Sequence, residues 1–115
     1  MKLFNWKDCP QEQMNDWLSR KFVTGQNITL AQLFLKKGCI VPEHSHESEQ
    51  LSHVVVGCLR FAVDGQETVV RSNEVLAIPP NARHRVEAIE DTLVYDIFAP
   101  IRKDWLDGSD AYLRR

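Results

Sequence analysis

The stretch GCIVPEHSHESEQLSHVVVG, residues 38–57, carries three of the four histidines of the chain. His44 and His46 lie two positions apart, and side chains two apart on a β-strand project to the same face. Gln50 keeps that parity four residues later. Two imidazoles and an amide oxygen on one face predict a chelating surface for a metal ion, which His84 would complete from another strand.

An H-x-H pair alone is common on solvated strands, so its meaning depends on the residues around it. His53 has the opposite parity to Gln50, and we expect a structural or interfacial role for it. Further intervals follow after residue 57. Fifteen residues separate Gly57 from Asn73, and five residues separate Asn73 from the Pro-Pro-Asn that ends at Asn81. Two more residues lead to His84.

These intervals resemble the two motifs of the cupin superfamily. The first motif runs from a glycine through H-x-H and a glutamate to a second glycine, and Gln50 replaces the glutamate here. The second motif ends in a histidine, and Asn73 and Asn81 stand where it carries glycines. Asparagine is the non-glycine residue that best tolerates a left-handed backbone. The resemblance implies an all-β, single-domain cupin barrel, a double-stranded β-helix or jelly roll.

The remainder of the chain fits such a barrel. No linker, repeat or low-complexity tract divides its 115 residues, which suit one domain. We expect residues 1–19 to form an N-terminal segment packed on the barrel and residues 20–115 to form the barrel itself. Asp64-Gly65 predicts a tight hairpin turn. The predicted strands are RKFVT, ITLAQLFLK, EQLSHVVVG, LRFAV, ETVVR, VLAIP, RVEAI and LVYDIFA.

Charge and hydropathy narrow the possible partners. A net charge of −2 and a pI near 6.1 give no basic field for nucleic acid or an anionic membrane. The apolar runs are too short to span a bilayer, and the start lacks a signal-peptide core, so we expect a cytoplasmic protein. Cys9, Cys39 and Cys58 are odd in number and widely spaced, which predicts free thiols.

Four neutral donors would leave the charge of a divalent ion uncompensated. Iron oxygenases commonly use a carboxylate ligand, whereas a neutral set with Gln50 favours Lewis-acid chemistry on an anionic substrate. Imidazole suits several metals. The resemblance to a smaller group of cupins, set out below, favours Ni or Zn as the bound metal and leaves Fe, Mn and Cu as alternatives.

The segment EDTLVYDIFAPIRKDWL adds a second group of candidates. Strand alternation places Val94, Asp96 and Phe98 on one face, which is either the core face or the solvent face. An Asp on the inner face of a small barrel is costly unless it is paired or functional.

The chain from Arg20 to Leu106 also resembles a group of small single-domain cupins that includes a protein linearising unsaturated uronates in pectin degradation. Shared features are H-S-H…E-Q, I-P-x-N-x-x-H and D-x-F-x-P-x-R-x-D-W. The resemblance implies that Asp96, Phe98 and Arg102 line the substrate pocket beside the metal, with Asp96 facing inward.

By this resemblance the substrate is a cyclic 4,5-unsaturated uronate monosaccharide from pectin or alginate. Asp96 would be the general base, Arg102 would bind the carboxylate and Phe98 would shape the pocket. The product would be the linear 5-keto-4-deoxyuronate, formed without redox chemistry. Two alternatives remain: a metal-dependent dioxygenase acting on a small carboxylate-bearing substrate, and a non-catalytic cupin that binds sugar acids. The strand ITLAQLFLK is apolar on both faces, which favours a homodimer unless the N-terminal segment covers it.

Overall fold

The structure, a computed structural model, describes residues 1–114. In that part of the chain, ten strands accompany one short helix and two 3-10 turns, Trp6–Asp8 and Ala111–Arg114. The strands are β1 (Glu12–Gln13), β2 (Leu18–Thr24), β3 (Thr29–Leu35), β4 (Ile40–His44), β5 (Glu49–Val56), β6 (Cys58–Val63), β7 (Gln66–Arg71), β8 (Val75–Ile78), β9 (His84–Ala88) and β10 (Thr92–Ala99). The helix α1 spans Lys103–Asp107.

Two antiparallel sheets face each other across the core. One has six strands in the order β1-β2-β3-β10-β5-β8, and the other has four in the order β4-β9-β6-β7. This arrangement confirms the predicted all-β barrel. Each of the eight predicted runs forms a strand, whereas β1 and β4 were not predicted. Pro42 lies inside β4, and a proline normally argues against a strand unless it lies at an edge or a bulge.

A β-bulge in β4 explains how that proline is accommodated. Val41 pairs with Val86 and His44 pairs with His84, so the β4 segment has one residue more than its partner. The extra residue shifts the alternation of β4 by one position. As a result Val41 and His44, three positions apart, both turn toward the interior.

A second bulge lies where β5 pairs with β10. Leu93 pairs with Val56, but Val94 pairs with Val54, so Val55 is the extra residue. Beyond the bulge, the inner faces of the two strands lie opposite each other. Asp96 is then opposite Ser52, and Phe98 is opposite Gln50.

The core fills the space between the sheets with alternate residues of each strand. In β3, for example, Ala31, Leu33 and Leu35 are buried while Phe34 is exposed. Burial of such apolar side chains stabilises the barrel by about 25 cal/mol per Å² of apolar surface removed from water. Other buried core residues are Met14, Leu18, Val41, Val54, Leu59, Phe61, Val70, Ile78, Val86, Val94, Phe98 and Trp105.

The predicted N-terminal segment, residues 1–19, contributes to the six-stranded sheet. Its strand β1 pairs with β2, and β2 itself begins at Leu18. The ring of Trp6 packs on Tyr95 of β10, with 6.1 Å between their centroids. The carbonyl of Trp6 also accepts a hydrogen bond from the Lys21 ammonium at 2.8 Å. Trp6 therefore covers part of the outer face of this sheet.

The segment after β10 is fixed to the barrel by a buried ion pair. Arg20 Nη2 of β2 lies 2.7 Å from Asp110 Oδ2, and the two side chains are 1% and 0% exposed. The Arg20 guanidinium also lies over the ring of Trp105 at 4.3 Å. Because removing one partner would leave an uncompensated buried charge, this pair holds the segment after α1 in place.

The cysteines are free thiols, as predicted. Burial raises the pKa of Cys39 to about 11, so this thiol stays protonated and unreactive at neutral pH. Within residues 1–114, no helix is both long enough and apolar enough to cross a membrane.

Left-handed backbone occurs at the expected asparagines. Asn73 has φ of 71° and Asn81 has φ of 65°, so asparagine takes the place of glycine at both positions. Gly57 also has a positive φ, of 110°, and it has little space around it. A Cβ there would lie 2.7 Å from Thr92 Cα, which is closer than real Cβ contacts allow.

Replacement of Gly57 is therefore expected to be far more damaging than replacement of Gly65. Gly57→Ala should lower the free energy of unfolding by roughly 2–5 kcal/mol, from backbone strain together with overpacking. Gly65 has φ of 81° but open space around it. Gly65→Asn should stay within about 1 kcal/mol of wild type. Urea unfolding of both variants measures the difference, and equal losses would contradict the close approach at Gly57.

Candidate metal centre

Three histidines meet at one end of the barrel. His44 ends β4 and pairs across the sheet with His84, the first residue of β9. Their ring centroids are 4.2 Å apart. His46 follows in the loop after β4, with its centroid 4.9 Å from that of His84. One nitrogen from each of the three rings lies within 4.8 Å of the other two, a grouping that can hold a metal ion.

The prediction that one strand face brings His44, His46 and Gln50 together is wrong. His44, His46 and Gln50 do not lie on one face of one strand, because β4 ends at His44 and His46 lies in a loop. Gln50 belongs to β5, in the other sheet. The bulge in β4 and the loop bring the side chains together instead.

Each histidine is oriented by a backbone carbonyl two residues away. His44 Nδ1 contacts the carbonyl of Pro42 at 2.8 Å. His46 and His84 make the same contact at 2.9 Å with the carbonyls of Ser48 and Ala82. A carbonyl only accepts hydrogen bonds, so Nδ1 carries the proton on all three rings. Each Nε2 then presents an unshared electron pair, which is the form that binds metals.

Burial keeps these rings neutral. It lowers the pKa of His44 to about 3 and that of His46 to about 4, with neighbouring positive charges adding to the effect. Burial also lowers the pKa of His84. At pH 7 no proton competes for the three Nε2 atoms.

Gln50 brings an oxygen to the same cluster. Its side chain is buried, and its Oε1 lies 3.0 Å from His46 Nε2. With Nδ1 protonated, both of these atoms are acceptors, and two acceptors at this distance suit a cation beside them. His84 Nε2 is also buried and has no hydrogen-bond partner among residues 1–114. The donor set therefore fits a divalent metal ion held by His44, His46, Gln50 and His84.

Asp96 lies on the inner face of β10, with Val94 and Phe98, and lines the cavity beside the histidines. Its Oδ1 accepts a hydrogen bond from the Ser52 hydroxyl at 2.7 Å. Burial raises the pKa of Asp96 to about 6, and the bond from Ser52 limits the rise. A carboxyl group with this pKa exchanges protons readily near neutral pH.

Arg102 and Phe98 line the same cavity. Arg102 is buried, and its guanidinium lies over the rings of Phe98 and Trp105, 4.7 and 4.8 Å from their centroids. Its Nε and Nη2 donate to the carboxylate of Asp104 at 3.0 and 2.8 Å. Nη2 also donates to the hydroxyl of Tyr112. Within the described chain, the Nη1 donors have no partner.

Two residues of the site, Tyr112 and Ser52, were not predicted from the sequence. Tyr112 stacks on His44 at 4.3 Å between ring centroids and closes the barrel mouth. The remaining cavity has about 40 Å³, space for about one water molecule. Ser52 shares the parity of Gln50 and was detectable on that basis. Tyr112 follows the last strand, where no periodic pattern indicates an inward direction.

His53 lies on the other side of β5. It pairs with Tyr95 of β10 and Val75 of β8, both on the outer face of the six-stranded sheet. It is thus the one histidine outside the cluster.

Comparison with known proteins adds to this geometry. The family described as Cupin domain matches residues 32–98. The chain belongs to this family. The pectin degradation protein KdgF of Dickeya dadantii (strain 3937) is 24% identical over 102 residues, which cover 86% of this chain and 93% of that protein.

Solved structures of other cupins share the fold. KdgF from Halomonas sp. superposes with a TM-score of 0.84 at 22% identity, covering 91% of this chain and 98% of that one. An RmlC-like cupin from Shewanella frigidimarina NCIMB 400 also gives 0.84 at 23% identity, covering 91% and 96%. The similarity to these proteins extends well beyond the two histidine motifs at residues 38–57 and 73–84.

Removal of one ligand should weaken metal binding strongly, whereas removal of the outer histidine His53 should not. We expect His84→Ala to weaken binding of Zn²⁺ or Ni²⁺ by more than the 10- to 100-fold that is typical of residues behind the ligands. His53→Ala is the matched control and should bind as wild type. Equilibrium dialysis with elemental analysis measures both. Equal affinity of wild type and His84→Ala would show that the cluster is not the metal site.

Proposed function

We propose that this cupin opens the ring of 4,5-unsaturated uronate monosaccharides and releases the linear 5-keto-4-deoxyuronate. The observation that carries the proposal is the position of Asp96. A carboxyl group with a pKa raised to about 6 lines the same cavity as the buried Arg102 and as His44 and His84 of the neutral histidine cluster. An acid–base group, an anion-binding group and a Lewis-acid site together suit a proton-transfer isomerisation of a sugar acid.

The relatives support the substrate class. The Dickeya protein is named for pectin degradation, and pectin is a polymer of uronates. Its similarity covers nearly the whole of both chains.

The ligands would be His44, His46, Gln50 and His84, with Ni²⁺ or Zn²⁺ the favoured ion. A bound divalent ion supplies Lewis acidity, which stabilises oxygen atoms that gain negative charge. Because no ligand is anionic, that charge would act undiminished on the substrate.

Asp96 performs the proton transfers. Its Oδ1 is held by Ser52, and its Oδ2 has no hydrogen-bond partner in the described chain. Asp96 removes the proton of the anomeric hydroxyl, and C1 becomes an aldehyde as its bond to the ring oxygen breaks. The electron pair of that bond passes to the oxygen on C5, leaving an enolate. Asp96 returns the proton to C4, which gives the C5 ketone, so the reaction is an isomerisation with no other reactant.

Arg102 and Phe98 position the sugar. The free Nη1 donors of Arg102 bind the substrate carboxylate, and contacts with the rings of Phe98 and Trp105 keep the guanidinium in place. Phe98 provides an apolar wall. The cavity of about 40 Å³ is too small for a monosaccharide, so the proposal requires the side chain of Tyr112, which stacks on His44, to be displaced on binding.

The proposal predicts loss of ultraviolet absorbance from the C4=C5 bond when metal-loaded protein is mixed with unsaturated monouronates. Asp96→Asn should lower kcat by about 10²–10⁴-fold, the usual contribution of general acid–base catalysis. Glu90→Gln, on the loop before β10, is a matched control with an exposed carboxylate. It should turn over as wild type.

Three results would contradict the proposal. Inactivity on both pectin- and alginate-derived substrates would reject the reaction, and normal turnover by Asp96→Asn would reject the role of Asp96. Oxygen consumption with a small carboxylate substrate would favour a dioxygenase instead.

We propose further that the protein works as a homodimer in the cytoplasm. The outer face of the six-stranded sheet keeps apolar side chains in contact with solvent beyond the area covered by Trp6. Phe34, Leu51 and Val75 are 45%, 38% and 57% exposed. A second copy of the chain would bury this face, as exposed apolar patches of soluble proteins commonly mark interfaces. The three free thiols suit a reducing compartment.

Charge placed on that face should separate the copies. We expect wild type to sediment at twice its 13.3 kDa mass, and Leu51→Glu/Val75→Glu to sediment at 13.3 kDa. Leu106→Glu, on α1 and also exposed, is the control and should remain dimeric. Sedimentation equilibrium measures the three masses. A wild-type monomer at micromolar concentration would reject the dimer.

A further inference from the structure

We infer that Ser52 is a positioning residue that determines which end of the Gln50 amide faces the three imidazoles. Ser52 is fully buried on the inner face of β5, two residues after Gln50 and directly opposite Asp96. Its hydroxyl joins the two side chains. Gln50 Nε2 donates to Ser52 Oγ at 2.9 Å, and Ser52 Oγ donates to Asp96 Oδ1 at 2.7 Å.

The direction of this chain of hydrogen bonds follows from counting protons. A serine hydroxyl has one proton, and Ser52 gives it to the Asp96 carboxylate. Toward Gln50 the Ser52 oxygen can then only accept. The end of the amide that faces Ser52 must therefore be the NH₂ group.

The other end of the amide must then be the oxygen. Gln50 Oε1 lies 3.0 Å from His46 Nε2, at the edge of the histidine cluster. With the amide reversed, Oε1 would face a Ser52 oxygen with no proton to offer, and the NH₂ group would point at the place of the metal. A reversed Gln50 cannot be a ligand, because an amide nitrogen bearing two protons has no electron pair available for a metal.

A glutamate at this position would not need such an orienting group, since its two oxygens are equivalent. A glutamine has one donor end and one acceptor end, and only one orientation is useful. Ser52 thus acts on the metal through Gln50 and on the proton-transfer group through Asp96. The inference rests on the metal centre of the proposed function but not on the identity of the substrate.

The test is a double-mutant cycle on metal affinity, measured with Zn²⁺ by competition against a chromophoric chelator and without any substrate. Ser52→Ala should weaken Zn²⁺ binding by about 10- to 100-fold, as is typical when a group behind a ligand is removed. Ser52→Ala added to Gln50→Glu should weaken Zn²⁺ binding by less than about threefold, which is below that range, since the carboxylate needs no orientation. Ser52→Thr keeps the hydroxyl and should restore the affinity.

Thr92→Val is the matched control. Thr92 is buried on the inner face of β10, and its hydroxyl bonds to the backbone of Cys58 and Glu90 rather than to the site. This variant loses a buried hydroxyl from the same sheet and should bind Zn²⁺ as wild type does. The absorption spectrum of the Co²⁺-loaded protein reports the ligand set and should change in Ser52→Ala but not in Thr92→Val.

Equal losses of affinity from Ser52→Ala in the wild-type and Gln50→Glu backgrounds would overturn the inference, because a purely structural role acts on both alike. An unchanged affinity in Ser52→Ala would overturn it as well. If Ser52→Ala unfolds, Ser52→Thr decides instead: near-wild-type affinity supports the inference, and a loss of about 10-fold in a folded Ser52→Thr rejects it. Failure of the proposed reaction is seen separately, as Zn²⁺ binding without turnover of uronates.

Discussion

The unshared electron pairs of three imidazoles and one amide oxygen converge in a small buried space, where they repel one another. A flexible chain would relieve this repulsion by turning the rings or exchanging protons. Here neither route is open. The Nδ1 protons are held by backbone carbonyls, and burial lowers the pKa of each ring, so the rings stay neutral and fixed. The rest of the site depends on keeping these donors in place without a balancing negative charge.

Direction and position come from different parts of the structure. The carbonyl contacts join residues two apart in the chain, so the direction of each ring is a local property. The distances between the rings are set by strand pairing, through His44 opposite His84 and Gln50 on the facing sheet. The segment after β10 then closes the barrel mouth. Its attachment depends on the buried ion pair of Arg20 with Asp110, two residues before Tyr112, which stacks on His44.

The sequence was informative where spacing is local and uninformative where pairing is remote. The intervals around His44, His46 and Gln50 identified the cluster, and the alternation in β10 placed Asp96 with Val94 and Phe98. The prediction that His44, His46 and Gln50 share one face of one strand was wrong, since β4 ends at His44 and its bulge depends on the partner strand. The hydrogen bond from Ser52 to Asp96 depends on the register of two strands whose residues are 44 apart in the chain, so the sequence did not predict it. Tyr112 follows the buried pair of Arg20 with Asp110, a remote contact that no periodicity of the sequence reveals.

The two bulges bear on how the length of this chain can change. A bulge holds one residue more than its partner strand requires, so it is a point where the chain can be shortened by one residue and still pair regularly. Loss of a residue at Val55, or between Val41 and His44, would leave Asp96 opposite Ser52 and His44 opposite His84. The same loss between Gln50 and Val54 would turn one set of side chains to the outer face. Deletions of one residue are therefore compatible with the strand register of the metal centre at these two places, whereas the same deletion between Gln50 and Val54 is not.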